Sequence, residues 1–195
     1  VAWITGGSTG IGRSVARMLA EEGYTVAVTV RPDNPIDDLV EETQGMAGRV
    51  MAFPSDVTDE AGMAAAVAAI EDQAGPIVLA IFNAGAYVPV TGDDLRIEAF
   101  RLSFAVNVFG VLNGLVPIVD RMRQRGRGHV VVMGSISAYF GWPTTAAYGA
   151  SKAALNIMAE ALKYDFDKMN IRMQVLNPGF VDTPLTAAND FAMPG

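Results

Sequence analysis

Six short apolar runs, set apart by stretches with helical spacing, constrain this chain more than any other feature. They cover 1–4, 25–30, 50–53, 77–82, 129–133 and 171–176, and each meets a Gly, Pro or Asn within two residues of its end. Uninterrupted apolar strands suit a parallel sheet covered on both faces. Between them, apolar residues recur at helical spacing, as in Ile11, Val15, Met18 and Leu19 ahead of a C-terminal stop at Gly23. Further helices are expected over 36–44, from Thr58 or Asp59 to 73, over 98–125 and over 148–169. The third of these should bend near Gly110, Gly114 and Pro117. The β-α alternation predicts an α/β fold, a doubly wound parallel sheet in one domain over 1–195. Right-handed crossovers place the loops after the strands on one edge, where open α/β sheets bind their ligands.

Composition narrows the partners. The chain has 195 residues, 51% of them hydrophobic, which excludes a disordered chain. The net charge is −7, and the longest basic block is Arg121–Arg127, so nucleic acid is not an expected partner. No uninterrupted apolar run reaches the roughly 18 residues of a membrane span, so no membrane partner is expected either. With no cysteine and one histidine, His129, thiol nucleophiles, disulfides and Cys- or His-rich metal sites are ruled out. His129 precedes a strand at the end away from the ligand edge and reads as structural. No targeting peptide is visible, which makes cytoplasm the default expectation.

Several stretches carry chemistry. Tyr148 and Lys152 are four apart on an expected helix, so they share a face. A phenol beside an ammonium is an acid/base unit, and the cation should lower the phenol pKa. Thr5-Gly6-Gly7-Ser8-Thr9-Gly10-Ile11-Gly12 joins a strand to a helix. Its glycines let the backbone approach a pyrophosphate, and the helix N-terminus offers free N–H groups. A glycine-rich turn without a ligand is the plainer alternative. At the end of the second strand stands Arg31, with no acid before Asp33; it is either a clamp for a ribose 2′-phosphate or a solvated loop residue. Asp56-Val57 comes after the third strand, either to contact an adenine or to cap the next helix. Asn83-Ala84-Gly85 supplies small residues where a cofactor can cross the sheet edge and an amide able to tie loops together. Asn107 is a mid-helix amide that needs partners. Ser135 directly follows a strand, thirteen residues before Tyr148, with Ser137 as its near neighbour.

T-G-x-x-x-G-x-G, N-A-G, a mid-helix Asn, a strand-end Ser, Y-x-x-x-K and P-G occur here in one order. Together, over essentially the whole chain, they resemble the short-chain dehydrogenase/reductase family in its single-domain branch. The resemblance implies a catalytic tetrad of Asn107, Ser135, Tyr148 and Lys152. It places Gly6, Ser8, Thr9, Gly10, Ile11 and Gly12 around a pyrophosphate, and Asp56 and Val57 at the adenine. Asn83, Ala84 and Gly85 then form the family's N-A-G motif, while Pro178, Gly179, Val181 and Thr183 hold the nicotinamide carboxamide. Tyr148 and Lys152 also serve the nicotinamide ribose. The chain departs from the pattern at Phe82, which replaces an Asn, and at Thr9, where many NADP members carry a basic residue. The family usually continues through another helix and strand beyond Gly195, so a C-terminally incomplete domain is expected.

The expectation is an oxidoreductase passing a hydride between NADP(H) and a carbonyl or alcohol, with NAD(H) as the second choice of cofactor. A nicotinamide-sensing module without catalysis and a dehydratase or epimerase are the rivals. Pocket walls are expected from 86–90, 139–142, Phe180 and 184–193. They offer Tyr87, Val88, Tyr139, Phe140, Trp142, Phe180 and Phe191 without Lys or Arg, so the small-molecule substrate should be neutral and largely apolar. The helices around 100–123 and 153–167 carry apolar surface, and the family pairs the matching helices, which implies a homodimer or homotetramer.

Overall fold

The computed structural model describes residues 1–185. Six strands form one all-parallel sheet in the order β3-β2-β1-β4-β5-β6. They are β1 (Ala2–Thr5), β2 (Thr25–Thr29), β3 (Arg49–Ala52), β4 (Leu79–Phe82), β5 (Gly128–Met133) and β6 (Ile171–Leu176). The connections are α1 (Gly10–Glu21), α2 (Asp37–Glu42), α3 (Glu60–Gln73), the pair α4 (Ile97–Phe104) and α5 (Gly110–Arg125), and α6 (Ala146–Lys168). This is the doubly wound α/β fold that the alternation predicts.

Strand side chains alternate between two cores, because successive Cβ atoms point to opposite faces. Trp3, Ala27, Ala80, Phe82, Val130 and Val132 enter one cluster with residues of α3, α5 and α6. Ile4, Val26, Val28, Ile81 and Val131 enter the other with Ala16 and Ala20 of α1 and Leu39 of α2. Phe82, which departs from the family pattern, meets the Trp3 ring edge-on with centroids 5.4 Å apart. The Trp3 indole N–H donates to Thr29 Oγ1 at 2.9 Å, so the largest core residue leaves no unpaired donor.

Element bounds differ from the sequence expectations where a side chain intervenes. β4 starts at Leu79 rather than 77, because the Ile77 N–H donates to the Glu71 carboxylate at 3.0 Å. Glu71 also pairs with Arg121 and Arg125, fastening α3 to α5. Asp59 caps α3 by accepting from Gly62 N, which removes the capping alternative for Asp56. The long helix is interrupted directly before Gly110, one of the expected positions, by a π-turn over Ala105–Phe109, while Gly114 and Pro117 sit inside α5. His129 lies in β5 with Nε2 2.6 Å from Gln174 Oε1, a structural role.

By length and hydropathy alone the unit Ile97–Arg125 is long and apolar enough to cross a membrane, a test that core helices also pass. Asn107, Gly110, Asn113 and Gly114 interrupt it, so no single apolar run announces it. In the fold it is a core helix: Val111, Leu115, Ile118 and Met122 are buried against the sheet. Gly114 permits this approach. A Cβ built there would sit 2.6 Å from the Phe82 ring and 2.8 Å from the Trp3 ring. Alanine normally stabilises a helix interior by about 1 kcal/mol over glycine. Gly114→Ala is expected to do the reverse, lowering the unfolding free energy by about 1 kcal/mol or more through overpacking, as measured by urea denaturation.

Candidate active site

β1 and β4 are neighbours in the sheet, and the chain segments beyond them part there. Thr5 and Asn83 hold the parting ends together. Thr5 Oγ1 accepts from the backbone N–H groups of Asn83 and Ala84 at 3.1 and 3.2 Å. The Asn83 amide donates to the Thr5 and Gly6 carbonyls at 3.2 and 2.6 Å. This is the loop-tying role expected of Asn83. Gly12 packs under the same knot, with no room for a Cβ beside Gly6 O and the Asn83 amide. It does not line the cleft, so its place is in helix–sheet packing rather than at the expected pyrophosphate contact.

A cleft of about 650 Å³ opens over this junction. Its walls contain Gly6, Ser8, Thr9, Gly10 and Ile11 from the first turn, and Arg31 from the end of β2. Asp56 and Val57 line it after β3, and Asn83, Ala84 and Gly85 after β4. Pro178, Gly179, Val181 and Thr183 close it from the chain beyond β6. Ser135, Tyr148 and Lys152 reach the same cavity. The fold thus gathers these predicted residues, from seven segments, around one space.

Tyr148 stands in the first turn of α6, which begins two residues earlier than the sequence suggests. The Ser135 side chain lines the same cavity and pulls on the Tyr148 phenol in the direction of the charged form. Ser137 lies in the short 3₁₀ turn Ile136–Ala138, where its N–H donates to Ser135 Oγ at 3.1 Å. It therefore supports Ser135 and does not replace it. Lys152 is 3% exposed, and its ammonium donates to the Met133 carbonyl at 2.7 Å. Lys152 Nζ lies 5.6 Å from the centre of the Tyr148 ring.

The electrostatics differ from the expectation that Lys152 lowers the Tyr148 pKa. Burial pushes the Tyr148 phenol up, and the Ser135 side chain only partly opposes it. Burial also brings the Lys152 ammonium down to about 8. Desolvation disfavours the charged form of either group, and it outweighs the cation's pull on the phenolate. The phenol therefore keeps its proton at neutral pH, the form needed to donate one.

Asn107 is fully buried in the π-turn and does not line the cleft. Its Oδ1 accepts from Ala86 N at 2.7 Å, and its Nδ2 donates to Ala86 O at 3.0 Å and Ser151 Oγ at 2.9 Å. Both amide protons are thus spent on protein groups, and the side chain braces the loop after β4 against α6. The π-turn shifts the helical register and brings this amide level with Ala86, as such turns do at functional sites.

The residues present suit a dinucleotide. Thr9, at the N-cap of α1, makes no side-chain cap bond, and the first turn holds no acid, so its N–H groups suit an anion. Asp56 takes both the N–H and the hydroxyl of Thr58 on Oδ1, which holds its carboxyl below the usual range. The buried Lys152 cation suits ribose hydroxyls, and Arg31 lines the cleft at the end of β2.

Other expected wall residues lie outside this cavity. Tyr87, Val88, Tyr139, Phe140, Trp142 and Phe180 do not line it. Tyr139, Phe140 and Trp142 are exposed, and Trp142 meets Phe180 edge-on at 5.9 Å. Residues 186–193, with Phe191, lie outside the described residues. One supporting residue escaped the sequence: Asn177, which reads there as a strand terminator. Its Oδ1 accepts the Ser135 N–H at 2.8 Å, and its Nδ2 donates to the Tyr139 hydroxyl at 3.0 Å. The signal was a polar side chain at the end of the strand beside that of Ser135.

Lys152 gives the site a signature in stability. Its folded pKa of about 8 lies below the unfolded value of 10.5, so between these the unfolded chain binds more protons. Stability from this group therefore rises as pH increases from about 8 to about 10.5 and is lowest below 8. Lys152→Met is expected to remove that rise, as read by denaturant titrations of the cofactor-free protein across this window.

A model of the short chain dehydrogenase family matches residues 1–192. Over 188 residues the chain is 32% identical to a Lentilactobacillus kefiri protein named NADP-dependent (R)-specific alcohol dehydrogenase, covering 95% of this chain and 74% of that one. It is also 32% identical to 2,3-dihydro-2,3-dihydroxybenzoate dehydrogenase of Bacillus subtilis, covering 95% of this chain and 71% of the relative. Among solved structures, gluconate 5-dehydrogenase from Burkholderia cenocepacia in complex with NADP and tartrate superposes with a TM-score of 0.88 at 28% identity. That match covers 96% of this chain and 73% of the other. With its doubly wound sheet, its cleft at the β1–β4 parting and a family match along nearly its whole length, the chain belongs to the short-chain dehydrogenase/reductase family of NAD(P)-dependent oxidoreductases.

Proposed function

We propose that the protein is an NADP(H)-preferring oxidoreductase that interconverts a neutral, largely apolar carbonyl compound and its alcohol. The observation that carries this reading is that Tyr148, Ser135 and the buried Lys152 reach one cleft, with the Lys152 ammonium 5.6 Å from the centre of the Tyr148 ring, in the cavity that Arg31 also lines. A nicotinamide dinucleotide held by the cleft residues would supply hydride-transfer chemistry toward the substrate carbon. In the reducing direction negative charge grows on the carbonyl oxygen. Tyr148 gives that oxygen its proton, and Ser135 donates a second hydrogen bond to it. Lys152 holds the ribose hydroxyls and replaces the proton that Tyr148 has given. Asn107 keeps the loop after β4 in register with α6.

The cofactor preference rests on Arg31. It is exposed and pairs loosely with Asp33, Nε to Oδ1 at 3.3 Å. A phosphate carries more charge than that carboxylate and would draw the guanidinium to itself. Val30, where NAD enzymes place an acid, is a buried valine here. The L. kefiri relative named as NADP-dependent and the B. cenocepacia neighbour in complex with NADP support the same choice. The substrate class rests on the sequence of the segments 86–90 and 139–142, which contain no Lys or Arg, and on the apolar Leu102, Val106, Pro184 and Leu185 in the cleft wall.

The same reading includes a homodimer or homotetramer. Leu102, Phe109, Val116, Ile157 and Tyr164 are exposed on α4, the π-turn, α5 and α6. Only 39% of the most apolar window of Ile97–Arg125 is buried within one chain. Exposed apolar surface of this kind marks an interaction site. Light scattering at micromolar concentration should give at least twice the monomer mass; a monomer refutes the assignment.

Titrations should find NADPH bound more tightly than NADH by about 1 kcal/mol or more, with Arg31→Ala erasing most of the gap. Equal affinities in the wild-type protein would sink the preference. Turnover on a panel of carbonyl compounds tests the chemistry. Tyr148→Phe keeps the ring and loses the proton donor, so it should retain cofactor binding and slow turnover by about 10²–10⁴-fold. A fully active Tyr148→Phe enzyme would remove this residue from the reaction.

A further inference from the structure

Tyr87 lies in the loop after β4, close to the reacting centre yet outside the cleft. Its ring meets the Tyr148 ring edge-on, with centroids 5.5 Å apart and planes at 80°. Edge-to-face contact of this kind fixes the relative orientation of two rings. The Tyr87 hydroxyl lies 2.6 Å from Thr144 Oγ1. Thr144 already donates its own hydroxyl proton to the Pro143 carbonyl at 2.6 Å. Tyr87 is therefore the donor of the pair.

Thr144 has φ +65°, the left-handed region that a β-branched residue rarely enters. Such a conformation persists only where the surroundings hold it. Here two bonds hold it from the loop after β4. The Tyr87 hydroxyl takes its side chain, and the Val90 N–H donates to its carbonyl at 2.9 Å. Two residues later α6 begins at Ala146, and Tyr148 sits in its first turn. The direction in which Thr144 delivers the chain therefore sets where Tyr148 stands.

We propose that Tyr87 is a positioning residue for Tyr148, its ring fixing the Tyr148 ring and its hydroxyl locking Thr144 in the conformation that starts α6. This rests on the reading of Tyr148 as the proton donor. Tyr87 itself does not line the cleft, and Tyr148 is the cleft residue whose ring it meets, so it acts on turnover through Tyr148.

The test is a set of variants assayed with saturating NADPH on a carbonyl compound that the wild-type enzyme reduces. Tyr87→Ala removes ring and latch, and kcat should fall at least tenfold while cofactor affinity stays within twofold. Tyr87→Phe restores the ring and should recover most of that loss. Thr144→Val removes the latch from the other side; it is isosteric and equally β-branched, so the backbone strain is unchanged. Tyr87→Phe and Thr144→Val should each lower kcat/KM about two- to tenfold, the scale of one hydrogen bond. Combined, they should lower it no further than Thr144→Val alone, because Thr144→Val already removes the bond that Tyr87→Phe breaks, together with the one to the Pro143 carbonyl. Losses that multiply in the double variant overturn the latch. A Tyr87→Ala enzyme with wild-type kcat, or a Tyr87→Phe enzyme as slow as Tyr87→Ala, overturns the positioning role. Should Tyr87→Ala fail to fold, the cycle between the two conservative variants decides. A fully active Tyr148→Phe enzyme would instead strike the underlying assignment of the proton donor.

Discussion

The parting of the chain at the ends of β1 and β4 governs the rest of this structure. These two parallel strands lie side by side, and the loops beyond them leave the sheet separately, so a gap must open between them. Left alone, the gap would expose unpaired backbone groups. Thr5 and Asn83 satisfy them with four hydrogen bonds across it. That knot sets the height of the glycine turn and of the N-A-G segment, and both in turn shape the walls of the cleft.

The second organising constraint is a buried cation. Lys152 has one hydrogen bond, to the Met133 carbonyl, and its pKa has fallen to about 8 through burial. A desolvated ammonium is costly, and a fold keeps one where a ligand or a reaction uses it. The surrounding groups are braced rather than mobile. Asn107 pairs with both backbone groups of Ala86 much as a neighbouring strand would, and it reaches Ser151 on α6. Asn177 holds the Ser135 backbone from β6. Each group of the Ser135, Tyr148 and Lys152 cluster is thus fixed by a neighbour that bears no charge.

That arrangement changes the view of the acid. On a bare helix, a lysine four residues from a tyrosine would favour the phenolate. In the folded chain both groups lose solvent, and loss of solvent penalises each charge. The phenol rises and the ammonium falls. The pair then stores a proton on Tyr148 at neutral pH, which suits reduction of a carbonyl.

The sequence by itself determined the order of strands and helices, because uninterrupted apolar runs and helical spacing are local patterns. It also brought the stretches at 6–11, 31, 56–57, 83–85, 135 and 178–183 to the cleft, since they fall at strand ends and a parallel sheet collects those ends on one edge. The tertiary structure alone decided the rest. Asn107 lies in a π-turn that no propensity marks, because its reason is a backbone 21 residues away. Gly12 reads as a pyrophosphate glycine from its spacing, and only packing against Gly6 and Asn83 gives it another place. Tyr87, Thr144 and Asn177 look like loop residues in the chain, and their partners are contacts at long sequence separation. The pKa shifts of Tyr148 and Lys152 depend on how much water burial removes, a property that spacing along a helix does not contain.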